Sequence, residues 1–146
     1  MHEETNSPVC SLDELRTVQI LEGIDDRRLK ELRKHLCLSH HAQGETILHQ
    51  GEATESLYFL LSGKVAVILK EENDKQHTLA KLEAGEIFGE RAMLTGELRT
   101  ADVVASTAVQ ALQLRQEAFD AMLLRCPEIH ANLCVTLARQ LGNWTI

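Results

Sequence analysis

A short segment of the chain, residues 88–101, concentrates residue types that bind anions. Gly89 lets the backbone turn and approach a ligand closely, and a short helical turn expected at residues 91–94 would present free N–H groups to an anion. Arg99 stands just before a predicted strand, where its planar guanidinium can bind the same anion through two N–H groups. Glu90 would repel a bare phosphate but can accept a hydrogen bond from a hydroxyl group. A ligand with a phosphate beside a sugar hydroxyl is a nucleotide, so these residues predict a nucleotide site.

Short predicted strands surround this segment. Turn signals recur along the middle of the chain, among them five Gly-Glu pairs between residues 44 and 97. Val65 and Val67 alternate with Lys64 and Ala66, which is the period of a strand with one face in the core. The predicted strands lie at residues 46–49, 57–61, 64–70, 77–82, 101–105 and 109–114, and another ends at residue 88. Many short strands at close spacing indicate a double-sheet roll or sandwich.

Helical patterns flank the strands on both sides. Ser11 or Asp13 can cap a first helix, whose apolar positions run to residue 21, and Asp25 or Asp26 can cap a second helix that reaches position 36. From residue 116 the helical period returns as two further helices, the second starting at Pro127. We therefore predict an α+β fold, mainly β: a double-stranded β-roll of the jelly-roll type, N-terminal helices, a short helix in the anion-binding segment and two C-terminal helices. The pattern favours one domain over residues 11–146, preceded by a flexible segment at residues 1–10.

The overall composition excludes several classes of protein. The 146 residues are 44% hydrophobic and 25% charged, which is typical of a globular domain with one core. Fifteen Lys and Arg against 22 Asp and Glu give a net charge of −7, without the basic stripe that nucleic-acid binding requires. No apolar run is long enough for a membrane helix, and the first ten residues do not resemble a secretory signal. We expect a cytoplasmic domain with no nucleic-acid or membrane contact in this chain.

The histidines and cysteines suggest an alternative chemistry. His40, His41, Glu45 and His49 could be the ligands of a cupin-like metal site, but adjacent histidines point to opposite faces of a strand. The four cysteines lie far apart and form no Cys-x-x-Cys pair, so they indicate neither a zinc site nor a redox dithiol. Two of them are expected to be packed as small hydrophobic side chains, Cys37 and Cys134. No Gly-x-Ser-x-Gly motif or Cys–base arrangement is present, so we expect neither an enzyme nor a metal or cofactor site.

The anion-binding segment resembles the phosphate-binding cassette of cyclic nucleotide-binding domains, such as those of the bacterial catabolite activator protein and protein kinase A regulatory subunits. The resemblance lies in the residues FGERAML (88–94) and LRTA (98–101). It continues on both sides, since GETILHQGEATESLYFLLSGKVAV (44–67) resembles the opening of the family's β-roll and FDAMLLRCPEIHANLCVTLARQL (119–141) its two C-terminal helices. Only about the first ten residues lie outside the match.

The resemblance implies a role for each cassette residue. Glu90 would accept a hydrogen bond from the ribose 2′-hydroxyl, and Arg99 would pair with the exocyclic oxygens of the cyclic phosphate. Backbone N–H groups near Gly89, Arg91 and Ala92 would bind the remaining oxygens. Arg91 departs from the family, which usually has an apolar residue there, so only its backbone carries this role.

Further residues correspond to the family's walls around the sugar and base. Thr100 falls where the family often places a hydroxyl near the phosphate and a purine edge. Val67 and Leu79 resemble the apolar wall, and Trp144 falls near the lid that the last helix supplies for the base. So close to the chain end, Trp144 could instead pack on the roll.

Some of these residues also have purely structural interpretations. Arg99 could form a surface ion pair with Glu97 or Asp102, Glu90 could stabilise a helix start, and Thr100 could be an ordinary strand residue. The resemblance nevertheless implies a sensor of cAMP, or of cGMP, that moves its C-terminal helices when the ligand binds. Its partners would be the nucleotide, an unidentified effector domain or protein, and a second copy bound through the last helix. The alternative is an orphan β-roll that binds no nucleotide and acts only as an interaction surface.

Overall fold

The computed structural model describes residues 9–53, 55–89 and 98–143. The helices in these ranges are α1 (Leu12–Arg16), a 3-10 helix (Gln19–Leu21), α2 (Asp26–Arg33), α3 (Gln116–Arg125) and α4 (Pro127–Asn143). The strands are β1 (Leu36–His41), β2 (Thr46–Leu48), β3 (Ser56–Ser62), β4 (Lys64–Lys70), β5 (Gln76–Glu83), β6 (Ile87–Phe88), β7 (Asp102–Ala105) and β8 (Val109–Arg115). They form two four-stranded antiparallel sheets, with the orders β1-β8-β3-β6 and β2-β7-β4-β5. The predicted β-roll with helices at both ends is confirmed.

The first sheet separates two apolar clusters. Along β3, Leu57 and Phe59 pack against the helices, whereas Tyr58 and Leu60 face the second sheet. This alternation follows from the two-residue period of a strand. The helical cluster contains Phe119 of α3 together with residues of α1, α2 and α4. The second cluster lies between the two sheets and contains Phe88, the last residue of β6 before the cassette.

The N-terminal helices are capped as the sequence predicts. Ser11 accepts a hydrogen bond from the N–H of Glu14, whose side chain bonds back to Ser11 in a capping box, and Asp25 caps α2 through the N–H of Arg28. The first helix is nevertheless shorter than its apolar pattern. It ends at Arg16, because the N–H of Gln19 donates to the carbonyl of Gly85 rather than to a carbonyl of its own helix.

Two predictions from the sequence are wrong in detail. Leu36 is the first residue of β1 and pairs with Leu114, although its spacing suggested the face of α2; burial against the helices produces the same apolar signal in either element. Cys37 and Cys134 are exposed, whereas Cys10 and Cys126 are the buried cysteines. Cys37 lies on an edge strand and Cys134 lies on the outer face of α4, so neither reaches the core.

No helix among the described residues is long and apolar enough to span a membrane.

Candidate functional site

Arg99 lies at the end of the roll with only 8% of its surface exposed. Its Nη2 donates to the carbonyl oxygen of Ser56 at 2.8 Å, and its Nη1 donates to the carbonyl oxygen of Gly89 at 3.2 Å. Arg99 is therefore buried rather than at the surface, and Glu97, one of the two partners suggested for a surface ion pair, lies outside the described residues. The guanidinium is held between the start of β3 and the residue that follows β6, where the cassette begins.

Backbone pairing fixes the position of Arg99 in the chain. Its N–H donates to the carbonyl of Glu52, and its carbonyl accepts from the N–H of Gly51, both at 2.8 Å. These two bonds join residue 99 to the connection between β2 and β3 in an antiparallel manner. The guanidinium thus projects from a backbone that is itself held, which reduces the conformational entropy lost when it binds an anion.

Gly89 is required by both its backbone and its surroundings. Its φ is +89°, a conformation that side chains other than glycine rarely adopt. A Cβ at this position would lie 3.0 Å from Arg99 Nη1, 3.2 Å from Leu48 Cδ1 and 3.3 Å from the carbonyl oxygen of Ser56. The absence of a side chain at residue 89 is what allows Arg99 to lie against the backbone.

Asp102 forms a second buried polar group beside the site. Its Oδ1 accepts from the N–H of Gln50 at 2.6 Å, and its Oδ2 pairs with Lys70 Nζ at 2.9 Å. Burial by itself would raise the pKa of the Asp102 carboxyl, but the hydrogen bond from Gln50 and the charge of Lys70 outweigh it and lower the pKa below its ordinary value. The Gln50 side chain also bonds both backbone groups of Lys70. This network joins the connection after β2 to β4 and β7.

An aromatic stack involves the residue that precedes Gly89. Tyr58 and Phe88 stack with 5.0 Å between ring centroids and an interplanar angle of 4°. Burial raises the pKa of Tyr58, and the positive charge of Arg99 opposes that rise. Phe88 immediately precedes Gly89, so the stack anchors the start of the cassette.

The two residues predicted as an apolar wall, Val67 and Leu79, lie on the paired strands β4 and β5. Val67 is buried and Leu79 is half-buried, and both pack in the cluster that contains Phe88. Val67 pairs with Ala80 while Ile68 pairs with Thr78, so Leu79 is the extra residue of a β-bulge. Thr100 is exposed and directly follows Arg99.

Four predicted site residues lie outside the part of the chain that the structure describes: Glu90, Arg91, Ala92 and Trp144. Other groups near Arg99 were not predicted from the sequence: Ser56, Tyr58, and the Gln50 and Lys70 partners of Asp102. Tyr58 could have been found, because it alternates with Leu57 and Phe59 in a predicted strand. The carbonyl of Ser56 could not, since backbone acceptors leave no residue-type signal.

Three of the four residues of the alternative metal site lie close to side chains of opposite charge type, His41 and Glu45 next to each other and His49 next to Glu52. His41 Nδ1 lies 2.6 Å from Glu45 Oε2, and the hydrogen bond lowers the pKa of the Glu45 carboxyl. His49 lies 3.2 Å from Glu52. Within residues 9–53, 55–89 and 98–143, no three His, Cys, Asp or Glu side chains are grouped closely enough to hold a metal ion.

Comparison with known proteins agrees with this geometry. The family model described as cyclic nucleotide-binding domain matches residues 38–126. The cAMP-activated global transcriptional regulator CRP of Pasteurella multocida is 32% identical over 119 residues, which cover 81% of this chain and 57% of that protein. Human cGMP-dependent protein kinase 2 is 31% identical over 108 residues, 73% of this chain and 14% of the kinase.

A solved structure shows the same fold. The crystal structure of the Thermus thermophilus catabolite activator protein matches with a TM-score of 0.76 and 31% identity, over 85% of this chain and 58% of that chain. The chain thus spans little more than half the length of the bacterial relatives it matches. Because the matching family model covers well over half of its residues, this chain belongs to the cyclic nucleotide-binding domain family.

Proposed function

We propose that this domain is a cytoplasmic sensor that binds a cyclic nucleotide at the end of the roll and passes the event to its C-terminal helices. The observation that carries the proposal is the burial of Arg99 against the carbonyl of Gly89, at the first residue of the cassette. A desolvated guanidinium binds a phosphate far more strongly than an exposed one. In this proposal residues 11–146 form the ligand-binding domain. Val9 and Cys10, expected in a flexible segment before it, instead pack in the helical cluster, and residues 1–8 lie outside the described part of the chain.

The proposed contacts follow the order of the cassette. Arg99 pairs with the exocyclic phosphate oxygens, Glu90 accepts from the ribose 2′-hydroxyl, and the backbone N–H groups of residues 89, 91 and 92 bind the remaining oxygens. Val67 and Leu79 form the apolar wall beside the sugar and base, and Thr100 offers a hydroxyl near the phosphate. Trp144 covers the base. The bulge at Leu79 supports this arrangement, because bulges are common beside binding sites, where they redirect a side chain.

The proposed ligand is cAMP. The name of the Pasteurella relative, a cAMP-activated regulator that aligns with 81% of this chain, supports this choice. The kinase relative is named for cGMP and aligns over 73% of the chain, so cGMP is the nucleotide to compare. A hydroxyl at Thr100 is compatible with either base.

Contacts across the helical layer support a route from the site to α4. The turn before β6 contains Gly85, whose carbonyl accepts from the N–H of Gln19 at 2.8 Å. The Gln19 side chain in turn accepts from Arg139 of α4 at 3.1 Å, and Asn132 of α4 donates to the carbonyl of Ile20 at 3.0 Å. The 3-10 helix therefore lies between the strand that leads into the cassette and the last helix. A ligand shifts the balance between two positions of α4 only if it binds the protein more tightly when α4 is in one of them.

The proposed partners are a second copy of the chain and an effector domain or protein. The outer face of α4 carries four exposed apolar side chains at helical spacing, Ala131, Cys134, Val135 and Ala138. Such a stripe is typical of a helix that pairs with another helix. It supports a homodimer formed through α4.

The decisive experiment is calorimetric titration of the whole chain with cAMP and cGMP. Arg99→Ala is expected to weaken binding by about 2–5 kcal/mol, since the ligand's phosphate loses a desolvated charge partner. Arg27→Ala removes an exposed arginine of α2 and should bind as the wild type does. Absence of binding by a folded wild-type chain would support the orphan β-roll instead, and an unchanged affinity in Arg99→Ala would remove Arg99 from the site.

Hydrogen exchange resolved by residue tests the proposed coupling. Saturating nucleotide should change the protection of amides in α3 and α4 while leaving those in the centre of β8 unaltered, because local opening energies follow the contacts that a segment makes. In Arg99→Ala, the same nucleotide concentration should leave the protection of the α3 and α4 amides unchanged. Ligand binding without any change in α4 would contradict the coupling but not the site.

A further inference from the structure

A groove of about 440 Å³ lies between α2 and α3, on the helical side of the molecule. Its floor is apolar and includes Ile24 and Leu32 from the α2 region and Met122 of α3. Ile129 of α4, which is almost fully buried, closes the groove. None of the proposed nucleotide contacts lines it, and its volume is within the range of small-molecule sites.

Some of the charged side chains that line the groove have ion-pair partners and others have none among the described residues. Arg28 is bound to Glu128 and Asp25, and Glu31 pairs with Lys34. Two other arginines line the groove at opposite ends of α3, Arg115 and Arg125, and within the described residues neither has an ion-pair or hydrogen-bond partner for its guanidinium. One lining carboxylate, Glu117, also lacks a cation partner in the described part of the chain. Within the described residues, the groove is therefore lined by two arginines without an ion-pair partner and by one such carboxylate, in a chain whose overall charge is −7.

We propose that this groove binds an amphipathic carboxylate, with its alkyl chain on the apolar floor and its carboxylate beside Arg115 or Arg125. Burying an alkyl chain on such a floor is favourable in proportion to the apolar area removed from water. Guanidinium binds carboxylate through two parallel N–H groups, a geometry that an ammonium group does not offer. A neutral or cationic amphiphile would gain the apolar contact but not the ion pair.

The probes are straight-chain carboxylates below their micelle concentrations, titrated into the whole chain without nucleotide. Saturable binding of decanoate is expected, with the affinity rising roughly fourfold for each added methylene from hexanoate to decanoate. Decyltrimethylammonium has the same tail and the opposite charge, and it should bind more weakly. No saturable binding of decanoate, or equal binding of the two amphiphiles, would overturn the proposal.

Substitutions in the groove separate specific from diffuse binding. Ala121→Trp should fill the groove and remove decanoate binding. The exposed pair Arg115→Gln/Arg125→Gln should lower decanoate affinity by at least roughly fivefold and leave decyltrimethylammonium binding unchanged or stronger. The control pair, Arg27→Gln/Lys30→Gln, removes the same charge from exposed positions of α2 outside the groove and should have little effect. Wild-type decanoate affinity in Ala121→Trp, or equal losses in the two charge pairs, would place the binding elsewhere and overturn the proposal.

Discussion

Gly89 and Arg99 depend on each other through a single close approach. A Cβ at residue 89 would lie 3.0 Å from Arg99 Nη1, closer than an ordinary van der Waals contact, and Nη1 donates to the carbonyl of the same glycine. Any side chain at residue 89 would displace the guanidinium, since the end of an arginine moves more readily than the surrounding backbone. In the proposed function this displacement would move the phosphate-binding group away from its ligand.

Gly89→Ala tests this dependence, and Gly44→Ala is a matched control. Both glycines have a φ of +89°, but nothing lies within 4 Å of a Cβ at Gly44. The backbone strain should destabilise the fold by about 1–2 kcal/mol in each variant, and Gly89→Ala should lose more because its Cβ also crowds Arg99. Only Gly89→Ala should also weaken cAMP binding, by roughly tenfold or more, since it misaligns a charged hydrogen-bond donor. Equal cAMP affinities for the two variants, measured by calorimetry, would refute the dependence.

Among the contacts between helices, Arg28 of α2 binds the junction of α3 and α4. Its Nη1 and Nη2 donate to the two carboxylate oxygens of Glu128 at 3.0 and 2.8 Å, and Nη1 also lies 3.1 Å from Cys126 Sγ. Cys126 ends α3 and Glu128 is in the first turn of α4. The contact therefore holds the start of α4 against α2.

This ion pair makes stability depend on pH in the acidic range. The hydrogen bonds from Arg28 lower the pKa of Glu128 to about 2, from an ordinary value of 4.5. A carboxyl with a depressed pKa in the folded state stabilises the fold above its unfolded pKa and loses that contribution as the pH falls. We expect the contribution to be complete above about pH 5 and to decline between roughly pH 4.5 and 2.

Glu128→Gln should remove this part of the pH dependence, as measured by urea denaturation at successive pH values. The difference in unfolding free energy between wild type and variant should shrink as the pH is lowered. Glu72→Gln, at an exposed position between β4 and β5, should follow the wild-type curve. A difference that stays constant from pH 6 to pH 2 would show that the ion pair does not carry the effect.

The helical layer packs one face on the first sheet, and in the described part of the chain the opposite face of α4 is exposed. Leu133 and Thr136 are buried on the inner side of α4, whereas Val135 is 57% exposed on the outer side. A helix with apolar side chains on both sides is typically covered on both. The proposed homodimer would cover the outer side.

Val135→Glu should convert a dimer into a monomer, as measured by sedimentation velocity. A carboxylate in the centre of a helix pair must be buried without a partner, which is unfavourable. Leu124→Glu alters a side chain of α3 that is 87% exposed and should leave the assembly unchanged. A wild-type chain that is monomeric at high concentration would contradict the proposed interface.

Local signals in the sequence were enough to predict the class of fold and the ends of several elements. Alternation in residues 64–70 and the caps at Ser11 and Asp25 are local signals, and local hydrogen bonds and strand periodicity are enough to produce them. The cassette pattern also placed Gly89 and Arg99 in one segment, and the family match agrees with that pattern.

The groups that surround Arg99 could be identified only from the folded chain. Ser56 lies 43 residues away in sequence, and its contribution is a carbonyl oxygen that every residue type possesses. The same holds for the early end of α1, where the carbonyl of Gly85 binds Gln19, and for the assignment of Leu36 to a strand. Long-range backbone contacts leave no trace in residue type or period, whereas the burial that they produce looks alike in a helix and in a strand.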